Sequence, residues 1–313
     1  NEVSANLKIL ISILVIIVIH GILKSITDSL ENSNVSQIIY FVQYILIVTL
    51  IMSNFTEIIK IVKNTADDLV GFTNVLMPLL LTLMMYTGSI LMPLLLTLMV
   101  YTGNITTSSV LEPIVLFISN FIGNIIVDAL IPIVLIIVVF SIISKISDRV
   151  QVERISKFLK SGVVWFLGIV LTIFVGVVSL EGTLSSSVDG ITAKTAKTAV
   201  SSVIPVVGKI LGDVVDSVLG CGVVLKNAVG VVGVIVIIGI CILPVLKIAT
   251  LSIMYSLASA VVQPVADDKI VKLLDEMSGV FKLLLAILCS LSVILIIGVT
   301  LVIKISNSGM MYR

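Results

Sequence analysis

The sequence predicts an all-α, polytopic membrane protein with about seven spanning helices and at least one re-entrant or interfacial amphipathic helix. Three observations carry that expectation. The mean hydropathy is +1.29, and 58% of the 313 residues are hydrophobic against 12% charged. A soluble domain of this length cannot cover so much apolar surface. The apolar runs are continuous and approach about 20 residues, the length that crosses a bilayer as helix. They lack the alternation in strands of roughly ten residues that a membrane β-barrel requires.

The elements follow in order. Residues 7–23 form the first apolar run, with His20 near one end. Residues 38–53 form a second, where Tyr40 and Tyr44 suit a membrane–water boundary. Residues 54–70 are amphipathic: Glu57, Lys60, Lys63 or Asn64, and Asp67 or Asp68 recur at helical spacing. This stretch is expected to lie on the membrane or to extend the second span, and nothing in it suggests chemistry. Residues 76–105 are a direct repeat, LMPLLLTLMMYTGSI then LMPLLLTLMVYTGNI. One unit is too short to span. Pro78 and Pro93 suggest helix starts, and Gly88 and Gly103 suggest stops. A hairpin of half-helices and a single span kinked near Pro93 both fit.

Residues 113–144 are apolar but hold Asn120, Asn124, Asp128 and Pro132. Either Asp128 belongs to an ion pathway, or the helix breaks at 123–128 and sets Asp128 at an interface. Residues 145–160 carry five Lys or Arg against two acids, which places this loop in the cytoplasm by the positive-inside rule. Trp165 follows as an interfacial anchor. The span at 162–180 contains Gly168 and Gly176, suited to close helix packing. Further spans are expected at 229–256, with Pro244 and Lys247, and at 280–303. Between them, 264–278 reads as a short amphipathic helix opened by Asp267 and Asp268.

Residues 190–228 are neither plainly lipid-soluble nor plainly a soluble loop. Lys194, Lys197, Lys209, Asp213, Asp216 and Lys226 lie among Val, Ile, Leu and small residues. The polar and small positions recur three or four apart, on one helical face. Pro205 is expected to break the helix or start another, and Lys209 and Asp213 are spaced to pair. An interfacial helix with its charges in the headgroups is one reading. A re-entrant or pore-facing segment is the other, and it makes these six residues and Asp128 candidates for pore lining or assembly.

Much chemistry is excluded. A net charge of +1 leaves no drive for nucleic-acid binding by phosphate neutralisation. Cys221, Cys241 and Cys289 are widely spaced without a CxxC pair, against a disulfide framework. There is no GxSxG, HExxH, P-loop or Rossmann fingerprint, and His20 is the only histidine. No catalytic residue, cofactor or metal site is expected. The chain begins at Asn1 rather than Met, so an upstream segment cleaved or left out is allowed for.

Several motifs occur in order along the chain: MPLLLTLM with TG (77–88), WFLGIVLTIFVGVVSLEG (165–182), DGITAKTAKTA (189–199), IPVVGKILGDVVDSVLG (204–220), LKNAVG (225–230), LPVLKI (243–248), and Gln263 with Pro264. In these, residues 64–313 resemble the stage III sporulation protein AE family of endospore-forming bacteria. Residues 1–63, two spans and an amphipathic helix, match only in hydropathy. The tandem copy at 91–105 departs from the single copy expected. The resemblance implies a multi-pass protein of the mother-cell membrane around the forespore. It also implies partners: other membrane proteins of the same sporulation complex, possible further copies of the chain, and the lipid bilayer. Its implied role is membrane subunit of a channel-like complex linking mother cell and forespore. The alternatives are an independent secondary transporter of a small solute, which usually shows inverted repeats, and a scaffold for other subunits.

Overall fold

The computed structural model describes residues 33–89, 108–146, 152–203, 207–264 and 266–308, with scattered positions between 11 and 22. Side chains are described over a narrower set that leaves out, among others, 83–114 and 180–220. His20, the repeat's second copy and most of the first apolar run lie outside the described residues. The described elements are helices: α1 (Ser33–Ser89), α2 (Ser108–Ile125), a π-helical turn (Ile126–Leu130), α3 (Ile131–Ile146), α4 (Glu153–Val203), α5 (Val207–Val262) and α6 (Asp268–Ser308). Among the described residues, five helical segments are long and apolar enough to cross a membrane: Tyr44–Leu80, Phe117–Lys145, Glu153–Ser179, Asn227–Val262 and Asp268–Thr300.

Local chemistry accounts for the ends. Glu153 and Asp268 sit in the first turns of α4 and α6, where a carboxylate faces the positive end of the helix dipole. The Val152 carbonyl accepts from the N–H groups of Ile155 and Ser156, both at 3.1 Å, and the Asp267 carbonyl accepts from Ile270 at 2.9 Å. Pro264, just past α5, cannot continue a helix.

Several expectations are decided or changed. Residues 54–70 extend the second span, one of the two arrangements expected, rather than lying apart on the membrane. They are the middle of α1, which runs unbroken through them, because Phe55, Ile58, Val62, Ala66 and Leu69 are buried along one face. Pro78 lies inside α1 and starts nothing. Residues 264–278 are not a separate amphipathic helix, since α6 continues from Asp268 through the last span. The expected break at 123–128 is a widened turn instead. The Ile131 N–H reaches back to the Ile126 carbonyl. Pro132 has no N–H for the usual bond one turn back, and the π turn accommodates it without ending the helix.

The chain forms two compact units. The first comprises Asn1–Asp67, Ile125–Gly168 and Cys241–Ser290; the second comprises Asp68–Asn124, Ile169–Ile240 and Leu291–Arg313. The first is centred on aromatic residues. Tyr255 and Phe281 rings lie 5.1 Å apart and Phe55 and Phe281 6.5 Å apart, all tilted. The Tyr44 hydroxyl donates to the Ile142 carbonyl at 2.6 Å. Ser278 Oγ donates to the Ser252 carbonyl at 2.9 Å, as suits two backbones in close approach.

In the second unit, glycines mark the tight contacts. A Cβ on Gly123 would lie 2.8 Å from Val70, and one on Gly298 would lie 2.8 Å from Ser119 Oγ. Gly168 and Gly176 differ from expectation here. A Cβ built on either meets nothing within 4 Å, so neither is a close-packing position within the chain. Both sit on exposed stretches of α4.

Candidate functional site

The first unit treats its charged residues in two ways. Lys145, at the end of α3, is 5% exposed. Its Nζ lies 2.9 Å from Glu276 Oε1 on α6 and 3.1 Å from Glu153 Oε2 on α4. Lys157 closes on the other oxygen of Glu153 at 2.6 Å. The two lysines and two glutamates balance, so three helices are clamped by a neutral cluster. Such a cluster holds a geometry more than it adds net stability. Glu276 Oε2 is buried without a hydrogen-bond partner among the described residues.

The outer face of α1 is the opposite case. Glu57, Lys60, Lys63, Asn64 and Asp67 are all exposed, one face of a helix whose other face is core. This is the middle of the candidate span Tyr44–Leu80. Two contacts fix its level beside α5: Asn54 Nδ2 donates to Tyr255 Oη at 3.2 Å, and Lys247 Nζ pairs with Glu57 Oε1 at 2.8 Å. Lys247 lies about 15 residues, or roughly 22 Å of helix, inside the end of its own candidate span at Val262. Yet the Glu57 side chain is 59% exposed. Within one unit, an ion pair and a row of charges therefore stand on the outside of apolar helices, far from the helix ends. Asp128, in the π turn of the candidate span Phe117–Lys145, is exposed as well.

The second unit carries an uncharged counterpart. Asn120 Nδ2 donates to Asn74 Oδ1, and Asn124 Nδ2 reaches Asn120 Oδ1 at 3.5 Å. Asn74 and Asn124 are exposed.

The side chains of Lys194, Lys197, Lys209, Asp213, Asp216 and Lys226 lie outside the described residues, and so does the Lys209–Asp213 pairing. Their backbone is helical, the first two in α4 and the other four in α5. Among the described residues no group of His, Cys, Asp and Glu could hold a metal ion.

Comparison with known proteins decides the family. The model of the stage III sporulation protein AE family matches residues 1–91 and 89–306. The chain belongs to the stage III sporulation protein AE family. The stage III sporulation protein AE of Bacillus subtilis (strain 168) is 28% identical over 313 residues, covering 100% of this chain and 75% of that protein. No solved structure matches. The family match reaches residue 1, further than the motif-bearing region from residue 64. It also splits at residues 89–91, on the seam between the two repeat copies.

The α1 face was visible in the sequence as an amphipathic period but not as a site. Its signal was the length of apolar helix on either side. Lys145, Glu153 and Glu276 were missed, because no local spacing links them.

Proposed function

We propose that this protein is a multi-pass membrane subunit, without enzymatic activity, of a sporulation channel complex linking mother cell and forespore. The charged face of α1 then lines an aqueous path in the assembled complex. The observation that supports this reading is the exposed Glu57–Lys247 pair with Lys60, Lys63 and Asp67 beside it, within segments apolar enough to cross a membrane. Charged side chains on the outer face of membrane-spanning helices are rare against lipid tails and face water, headgroups or protein instead. Family membership supports the sporulation setting. On this reading the chain has about seven spans and sits in the mother-cell membrane around the forespore, with 145–160 on its cytoplasmic side. Other membrane proteins of the complex, and further copies of the chain, complete the path. Asp128 contributes further lining, and the polar segment 190–228 is a separate candidate for lining or assembly.

The test replaces Lys60, Lys63 and Asp67 together by leucine. The variant should insert and accumulate normally, while spore formation fails. Normal sporulation would overturn the lining role. Solute flux through liposomes holding this protein alone would mark an independent transporter instead.

A further inference from the structure

A second feature of the first unit is unused by that reading. A groove of about 430 Å³ runs between α4 and α6, lined by Lys160, Ser161, Val164, Lys282, Leu283 and Ala286, with Gly279 at its edge. Lys160 lies near Gly279, whose missing side chain leaves room: a Cβ there would sit 3.5 Å from Lys160 Nζ. One turn further along both helices, Val164, Leu283 and Ala286 form an apolar strip.

The charges on this groove are not those of the Lys145 cluster. Lys145 and Lys157 are neutralised by Glu153 and Glu276. Lys160 donates only to the Glu276 carbonyl, at 3.2 Å, and neither it nor Lys282 enters an ion pair among the described residues. The nearest acids are Glu276, already bound by Lys145, and Asp275, which is exposed. Two ammonium groups without an ion pair among the described residues therefore line the same groove as the apolar strip. The outer surface of α4 also carries apolar side chains. Phe158, Val164 and Trp165 are 75%, 58% and 71% exposed on the same helix, and such side chains belong at the boundary of a bilayer.

We propose that this groove binds an anionic glycerophospholipid. The headgroup phosphate accepts from Lys160 and Lys282, and an acyl chain lies along Val164, Leu283 and Ala286. Basic pockets between membrane helices near the cytoplasmic surface recognise headgroups in this way. An acidic peptide would satisfy the lysines but leave the apolar strip facing nothing of its own kind.

The test is native mass spectrometry of the full chain in mild detergent with phosphatidylglycerol or phosphatidylcholine added. The wild type should retain phosphatidylglycerol about tenfold better than phosphatidylcholine, a ratio in keeping with two surface lysines. Lys160→Gln with Lys282→Gln should abolish the preference, and Lys282→Gln alone, at an exposed position, should lower it. Ala286→Trp should lower retention with every lysine in place, because it fills the acyl seat. Lys272→Gln, outside the groove, should change nothing. Equal retention of both lipids by the wild type overturns the proposal, as does an unaltered preference in the double variant. Full retention by Ala286→Trp would reduce the groove to a basic patch. Displacement of the lipid by millimolar glycerol phosphate would assign a free phosphate site and equally reject the lipid.

Discussion

Lys145 and Glu57 both sit in the first unit, both in ion pairs, and the fold handles them in opposite ways. Lys145 is enclosed by α3, α4 and α6 with two carboxylates in contact. Glu57 meets Lys247 at a similar distance but leaves 59% of its side chain outside. A charge enclosed and neutralised within the chain belongs to the fold. A charge left on the outer face of an apolar helix needs something the chain does not itself supply. That difference separates the structural cluster from the candidate path.

The largest expected effect falls on the enclosed cluster. Lys145→Met strands Glu276 in a buried position, where one oxygen already lacks a partner. Removing one member of such a pair is expected to destabilise the chain by about 3–5 kcal/mol, read as a fall in thermal midpoint in detergent. Adding Glu276→Gln should restore part of the loss. A smaller loss is expected at the close-packed glycines. Gly123→Leu or Gly298→Leu forces contacts that would be 2.8 Å even for a Cβ, and overpacking of this kind typically costs about 1–3 kcal/mol. Gly168→Leu and Gly176→Leu have open space and should leave the stability of the isolated chain within about 0.5 kcal/mol. Impaired assembly of these two variants would place their face against another subunit.

Smaller still is the Asn54–Tyr255 link. Tyr255→Phe removes one hydrogen bond and should lower stability by about 1 kcal/mol, with the ring packing on Phe281 kept. Glu57→Gln should change stability least, by about 0–1 kcal/mol, because the pair is largely exposed. Its effect should appear in spore formation. A large stability loss at Glu57 with intact sporulation would reverse the contrast between the two clusters.

The helical class was legible because continuous apolar runs say helix without any knowledge of neighbours. Helix boundaries were less so. The charged half of α1 read as either a surface helix or an extension of the apolar half before it, and burial of Phe55, Ile58, Val62, Ala66 and Leu69 goes with one continuous helix. The same holds at the start of α6, where Ile270, Leu273, Leu274 and Met277 are core. Asp128 lies in the π turn of the candidate span Phe117–Lys145, and the π turn that Pro132 accompanies has no sequence signature distinct from a break. The Glu57–Lys247 pair joins residues 190 positions apart, and Lys145 bridges to α6 across two intervening helices of sequence. No periodicity within one element can reveal such pairs. At Gly168 and Gly176 a Cβ meets nothing within the chain, since a small residue permits close approach without requiring it.

The proposed path requires the outer face of α1 to be wet. The most direct measurement is a cysteine scan along α1 in membranes isolated from sporulating cells, with Cys221, Cys241 and Cys289 replaced by serine and a membrane-impermeant thiol reagent applied to both faces. Cysteines at Lys60, Asn64 and Asp67, all exposed, should label. Cysteines at Val62, Ala66 and Leu69, all buried, should resist, giving a reactivity that repeats every three to four residues. Uniform resistance at all six positions, with cysteines in exposed loops labelling normally, would mean that no water reaches this face and would contradict the proposed path.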